Sequence, residues 1–281
     1  MKVLIIGGTS SLGIILKNFL LQNHEVITAG RADCDIYMDL SVDQNIDFNV
    51  KCDVVVLTAA VFGGENIDAY INNINVNVVG TVRAVSLAQK INAKHFILIS
   101  SMSIFQERNK KINEIYVITK RHSEEIVEFT CNSIGMPLTI LRPSQLYSDL
   151  ESLKQHQPFL YNIVYRASKN ENIILHGCGN SKRNYLHTKD FVEIISKVID
   201  QNIFGNFNCV NTHQQTVVDV VEAVINAFES TSKIYYDKTK ENITDFPFKP
   251  DLDFYNQIEF TPNIDIHKGM TMIANLYSNL K

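Results

Sequence analysis

The chain has no Cys-x-x-Cys pair: its five cysteines, Cys34, Cys52, Cys131, Cys178 and Cys209, are scattered through 281 residues. An odd, widely spaced set argues against a disulfide framework and against a zinc site, so no metal is expected and a reducing compartment is. No apolar run approaches the roughly 20 residues that a membrane span requires. The opening Val3–Ile6 run is too short for the core of a secretory signal, so a cytoplasmic protein with no membrane role is expected. Charge of one sign is missing as well: 26 basic and 30 acidic residues leave a formal net charge of −4. Such a surface attracts neither nucleic acid nor an acidic bilayer, and an anionic ligand must be met by cations placed locally. Internal repeats, low-complexity segments and linkers are absent too.

What is present is alternation. Val3–Ile6, Glu25–Thr28, Val54–Thr58, Phe96–Ser100 and Leu138–Leu141 read as strands, and Leu12–Gln22, Ala69–Lys90 and Tyr116–Ile134 as the helices between them. Strands without polar alternation suit a parallel sheet covered on both faces. The pattern predicts an α/β fold, a Rossmann-type doubly wound parallel sheet with right-handed crossovers. After Tyr147 the rhythm changes. Strand-like Ile173–Leu175, Phe207–Val210 and Lys233–Tyr236 mix with helical Lys189–Asp200, Val217–Phe228 and Ile266–Leu276. The chain is therefore expected to divide into a dinucleotide-binding domain over 1–147 and a smaller mixed lobe over 148–281. The two interleave, with the lobe at the carboxyl edge of the sheet, where open α/β sheets bind ligands.

Three local patterns carry chemistry. Gly7-Gly8-Thr9-Ser10-Ser11-Leu12-Gly13 follows the first strand and opens the first helix, where backbone N–H groups can receive a pyrophosphate. The second strand ends in Gly30-Arg31 rather than in the acid that accepts from ribose hydroxyls in NAD-preferring folds. A guanidinium there suits a 2′-phosphate, so NADP(H) is favoured; Asp33 or Asp35 reaching the ribose would restore NAD(H). Tyr116 and Lys120 stand four residues apart on one helical face. A tyrosine, with a free pKa of about 10, needs a neighbouring cation to move its proton near neutrality, and the lysine supplies one. Upstream, an apolar strand ends in Ser100-Ser101, with Ser103 close behind.

In that order, the glycine turn, strand-end serine and Tyr-x-x-x-Lys resemble the extended short-chain dehydrogenase/reductases of the epimerase/dehydratase family, over essentially the whole chain. Ser10 stands where that turn usually has its middle glycine. The resemblance implies a catalytic set of Ser101, Tyr116 and Lys120, with Ser100 or Ser103 as alternatives for the serine. It implies a cofactor site of Gly7, Thr9, Ser10, Ser11, Leu12, Gly13, Arg31, Asp39, Leu40, Thr58, Ala59, Ala60, Asn77, Tyr116 and Lys120. Leu141-Arg142-Pro143-Ser144-Gln145-Leu146-Tyr147 and Arg183-Asn184-Tyr185-Leu186-His187 resemble nucleotide-sugar segments of the family, and Lys249-Pro250 falls where a second phosphate-binding cation stands. They imply that Ser103, Gln145, Arg183, Tyr185 and Lys249 bind a nucleotide-activated sugar, with His187 structural. Met102-Ser103 occupies the place of the dehydratases' Asp-Glu, which argues against dehydration. The short Phe105–Ile115 stretch is similar to that of 4-ketoreductases.

The expected activity is NADPH-dependent reduction of a nucleotide 4-keto-(6-deoxy)hexose, in polysaccharide biosynthesis. A nucleotide-sugar 4-epimerase holding NAD tightly is the alternative, and a silent dinucleotide sensor the third reading. The resemblance also implies a homodimer through Ala69–Lys90 and Tyr116–Ile134, with Val78, Val82, Val85 and Ile126 as apolar surface.

Overall fold

A computed structural model describes residues 1–44, 46, 50–106, 114–149 and 151–279. Most of the Phe105–Ile115 stretch lies outside them. In chain order come β1 (Lys2–Ile6), α1 (Ser11–Leu20), β2 (Glu25–Gly30), β3 (Ile36–Tyr37) and β4 (Val54–Leu57). Then α2 (Ile67–Asn73) passes through a π-helical turn, Ile74–Val79, into α3 (Gly80–Lys90). β5 (His95–Ile99), α4 (Glu114–Ile134), β6 (Leu138–Pro143) and β7 (Gln145–Tyr147) follow. After these come α5 (Pro158–Ser168), β8 (Ile173–His176), β9 (Lys182–Arg183), β10 (Tyr185–His187) and α6 (Thr188–Gln201). The chain continues through β11 (Gly205–Cys209), β12 (Gln215–Thr216), α7 (Val217–Ala227), β13 (Ile234–Asp237), α8 (Leu252–Gln257) and α9 (Ile266–Asn279).

These elements form two compact units: Met1–Arg142 with Val192–Asn208, and Pro143–Phe191 with Cys209–Lys281. The first is built on a seven-stranded sheet in the order β11-β6-β5-β4-β1-β2-β3. β1 pairs in parallel with both β2 and β4, and β4–β5 and β5–β6 are parallel as well. Strand order reverses at β1, so the carboxyl ends of β1 and β4 flank the crevice that such folds use for ligands. Val3–Ile6, Val54–Leu57 and Phe96–Ile99 are buried along their whole length, as unbroken apolar strands require. The Rossmann-type α/β expectation is met. The strand-like Phe207–Val210 region supplies β11, an edge of this sheet.

Two readings of the helices change. Val85 is fully buried with Ala84 and Ala88 in the core under the sheet, so it is not surface. The single helix expected over Ala69–Lys90 is interrupted by the π turn, and its asparagines explain why. Asn73 Nδ2 donates to the carbonyls of Gly63 and Ala69 at 2.8 Å each, and Asn77 takes both backbone groups of Val61, each at 2.9 Å. The extra residue of the π turn accompanies two side chains gripping one loop, the usual functional setting of such bulges.

The second unit contains three two-stranded ladders, β7–β10, β8–β13 and β9–β12. One anchor is Tyr147, whose hydroxyl donates to the Asp265 carbonyl at 3.0 Å. A Cβ on Gly269 would lie 2.0 Å from that hydroxyl oxygen, so α9 can pass only with glycine there. Among the described residues no helix is long and apolar enough to cross a membrane.

Candidate active site

After β1 the chain turns through Gly7 at φ +97°, where a Cβ would sit 2.6 Å from the Ala59 amide nitrogen. Only glycine satisfies both the left-handed backbone and the contact. Ser10 is the N-cap of α1: its Oγ accepts from the Gly13 amide at 3.0 Å and lies 3.2 Å from Thr58 Oγ1. Thr58 Oγ1 is itself 3.1 Å from the Ile6 and Gly7 carbonyl oxygens. A serine in the place of the usual glycine thus has a physical reason, because it caps the helix and ties the turn to β4. Gly7, Thr9, Ser10, Ser11, Leu12 and Gly13 form one turn at a helix N-terminus, with Thr58, Ala59 and Ala60 beside it. The close backbone approach and the positive end of the α1 dipole fit a pyrophosphate.

At the end of β2, Arg31 is exposed. Asp35 Oδ2 accepts from the Thr28 hydroxyl and amide at 2.7 and 2.8 Å, and these bonds hold its carboxyl below the ordinary range. Asp39 Oδ1 is bonded by the Ser41 hydroxyl and amide at 2.7 and 2.8 Å; these bonds, with smaller help from Arg31 and Arg83, lower its pKa. Leu40 is buried, and its carbonyl accepts from Arg83 at 2.7 Å.

The three residues read as catalytic converge in the first unit. Of the three serines, Ser101 is the one close enough to the Tyr116 hydroxyl to lower its pKa. Ser101 Oγ also accepts from the Ser103 amide at 3.1 Å, capping the 3₁₀ turn Met102–Phe105. The Ser100 and Ser103 hydroxyls are buried with no hydrogen-bond partner among the described residues. Lys120 Nζ donates to the Ile99 carbonyl at 2.7 Å and sits 6.0 Å from the centre of the Tyr116 ring. Burial drives the Tyr116 phenol well above its ordinary range, against the opposing effect of Ser101. Burial also lowers Lys120 to about 8, opposed by the Glu124 carboxylate. A phenol beside a lysine that titrates near neutrality is an acid–base pair suited to protonating or deprotonating a carbon-bound oxygen. Asn77, read as a cofactor contact, shapes this region through its amide, which reaches Thr119 Oγ1 at 3.0 Å as well as Val61.

Sequence reasoning passed over two side chains here. Glu124 stands one turn beyond Lys120 and is gripped by Arg142, whose Nη2 is 2.7 Å from Oε2; the i, i+4 spacing from Lys120 was the available signal. Phe62 stacks on Tyr116 with ring centres 4.4 Å apart and an interplanar angle of 23°. Its position in a loop gave no local signal.

In the second unit, Arg183 is buried, with Nη1 donating to the Lys182 and Thr244 carbonyls at 2.8 and 2.6 Å. Gln145 lies opposite Tyr185 across β7–β10, and its amide reaches Gln157 Oε1 at 3.3 Å. The Phe246 amide bonds the Lys182 carbonyl at 2.9 Å, and exposed Lys249 lies further along that segment. His187 accepts from the Lys189 amide at 3.2 Å and packs edge-on to Tyr147. Burial lowers His187 to about 4, which keeps it neutral and structural. A cavity of about 470 Å³ in this unit is lined by Phe159, Asn162, Arg166, Ile174, His176 and Val217, among others. No cluster of metal-ligating side chains occurs among the described residues.

Residues 3–210 match the model of the NAD dependent epimerase/dehydratase family. A relative, the putative UDP-glucose 4-epimerase of Methanocaldococcus jannaschii, is 21% identical, covering 99% of this chain and 98% of that protein. UDP-glucuronic acid decarboxylase 1 of Arabidopsis thaliana is 23% identical over 74% of this chain, which spans about half (51%) of that longer protein. Among solved structures, UDP-glucuronic acid 4-epimerase from Bacillus cereus in complex with NAD superposes with a TM-score of 0.78 at 17% identity, covering 100% of this chain and 99% of that one. RMD from Pseudomonas aeruginosa complexed with NADPH superposes with a TM-score of 0.80 at 13% identity, over 100% of this chain and 99% of the other.

Proposed function

As this chain belongs to the NAD dependent epimerase/dehydratase family, whose members are short-chain-dehydrogenase-type enzymes, we propose that it reduces a 4-keto group on a nucleotide-activated sugar with NADPH. The observation that carries the reading is the meeting of the Tyr116 hydroxyl with Ser101 and with Lys120, whose Nζ is 6.0 Å from the centre of the ring. Ser101 orients the substrate oxygen, Tyr116 delivers a proton to it, and Lys120 supplies the cationic field that eases the transfer. The nicotinamide, when bound, supplies the hydride. Gly7, Thr9, Ser10, Ser11, Leu12 and Gly13 hold its pyrophosphate, with Asp39, Leu40, Thr58, Ala59, Ala60 and Asn77 around the cofactor. Arg31, exposed at the end of β2, supports preference for a 2′-phosphate, as does the commitment of Asp35 to Thr28.

In the second unit, Arg183 and Lys249 serve the diphosphate, Gln145 and Tyr185 line its approach, and the 470 Å³ cavity has room for a nucleoside. Ser103 adds a buried hydroxyl near Ser101. Ile67, Tyr70 and Ile71 on α2, with Ile118 and Phe129 on α4, are exposed apolar side chains that support a homodimer. A reducing cytoplasm suits cysteines that form no disulfide with one another.

A second reading, 4-epimerisation with retained NAD, is favoured by the epimerases among the relatives and neighbours. One experiment separates the two. Purified protein is assayed for bound nicotinamide, then mixed with NADPH or NADH and a panel of nucleotide sugars and 4-keto sugars. NADPH oxidation by a keto sugar supports reduction. Retained NAD with interconversion of two sugar epimers, and no net oxidation, replaces it with epimerisation.

A further inference from the structure

The loop between β4 and α2 is fastened on both sides of one aromatic ring. Before it, the backbone N–H and C=O of Val61 are both taken by Asn77, each at 2.9 Å. After it, the Gly63 carbonyl accepts from Asn73 at 2.8 Å. Gly63 and Gly64 follow in left-handed conformations, φ +64° and +100°, which bend the chain sharply away. The ring so presented, Phe62, stacks on Tyr116, and the two differ widely in exposure: Phe62 is 50% exposed and Tyr116 8%. The same Asn77 amide reaches Thr119, whose hydroxyl bonds the Tyr116 carbonyl at 3.1 Å. One buried asparagine therefore sets the position of the Phe62 loop against the helix that carries the tyrosine.

We infer that Phe62 is a positioning residue: its ring shields the Tyr116 ring from water and fixes the plane in which the hydroxyl meets Ser101. This rests on the proposed role of Tyr116 in proton transfer. A tyrosine side chain turns about two bonds, and a hydroxyl aimed at a reacting oxygen loses rate steeply when its geometry drifts. Offset stacking is a suitable restraint, because it opposes tilting of the ring without touching the hydroxyl. A residue acting in this way changes the rate of the chemical step while substrate affinity stays in place.

The test compares Phe62→Ala, Phe62→Tyr and wild type by two measurements. In keto-sugar reduction, Phe62→Ala is expected to lower kcat about tenfold with KM within twofold, and Phe62→Tyr to restore it. The second measurement needs no turnover: brief nitration with tetranitromethane, with modification of the Tyr116 peptide quantified by mass spectrometry. Tyr116 should be protected in wild type and Phe62→Tyr and modified several times faster in Phe62→Ala. Unchanged Tyr116 nitration in Phe62→Ala overturns the shielding role, even if no sugar substrate is found. A normal kcat in Phe62→Ala, with wild type active, overturns the positioning role and leaves the proposed reaction standing. Equal gains in nitration at every tyrosine would mark general unfolding and also count against it.

Discussion

Replacing Arg142 with methionine removes the partner of Glu124 and keeps most of the aliphatic stem. The guanidinium meets the carboxylate twice over, Nε at 3.0 and 3.1 Å from its oxygens and Nη2 at 2.7 Å. The side chains are only 15% and 8% exposed. Removing one partner of a buried pair costs about 3–5 kcal/mol, mostly from the charge left behind, and the partly exposed arginine places this case near 3 kcal/mol. Arg142→Met/Glu124→Met removes both charges of this pair, and it should recover about 1 kcal/mol or more over Arg142→Met alone. The pair also bears on Lys120. Glu124 already opposes the fall of the lysine to about 8. Without Arg142 its field at Lys120 strengthens, the lysine keeps its proton to higher pH, and the alkaline limb of turnover moves above about 8. Urea denaturation of wild type, both single variants and the double gives the coupling energy, and a pH–rate profile of Arg142→Met gives the shift. A loss under 1 kcal/mol, no recovery in the double, or an alkaline limb moved downwards would refute the reasoning.

Tyr116→Phe deletes one hydroxyl and keeps the stack on Phe62; turnover should fall about 10²–10⁴-fold while thermal melting and NADPH binding stay close to wild type. Arg183→Ala should weaken nucleotide-sugar binding at least tenfold and spare NADPH affinity, as read by calorimetric titration; equal weakening of both would remove Arg183 from the substrate role. Acid should destabilise the fold through two histidines, because burial lowers His95 and His187 from 6.5 to about 4. Between those values the unfolded chain binds more protons, so stability is complete above about pH 6.5 and declines towards pH 4, by up to about 3 kcal/mol for each histidine. Urea unfolding at pH 7, 6 and 5 checks this; a flat profile contradicts it.

The sheet was legible because its strands are unbroken apolar runs and its helices keep a helical period, both of which follow from burial. β3, β9 and β12 were not, since a two-residue strand carries no periodicity. α5 was hidden differently: Pro158 opens it, and the exposed aromatics Phe159 and Tyr165 blur the difference between its two faces. Tyr116 and Lys120 could be read from spacing because a helix turns sequence distance into proximity. Phe62 and Tyr116 are brought together by the fold across a long stretch of chain, and neither neighbourhood carries a trace of the other. Ser101 was read from the resemblance, with Ser100 and Ser103 as alternatives that sequence could not separate physically, since adjacent residues at a strand end point in different directions. Ser10 was legible as a departure from the family's glycine, but its role as an N-cap tied to Thr58 appeared only in three dimensions.

The π turn sets a rule for how this chain can change length. Each residue of an α-helix advances the side chains by about 100° around its axis, and a π turn advances them by less. The six residues of Ile74–Val79 therefore turn the chain about as far as five α-helical ones. The wide turn takes up one residue of length and leaves α2 and α3 in phase. Asn73 keeps its grip on the loop at Gly63 while Ala84, Val85 and Ala88 keep the core. A single deletion just after Asn77 should thus be borne better than one inside α3, where nothing absorbs the rotation.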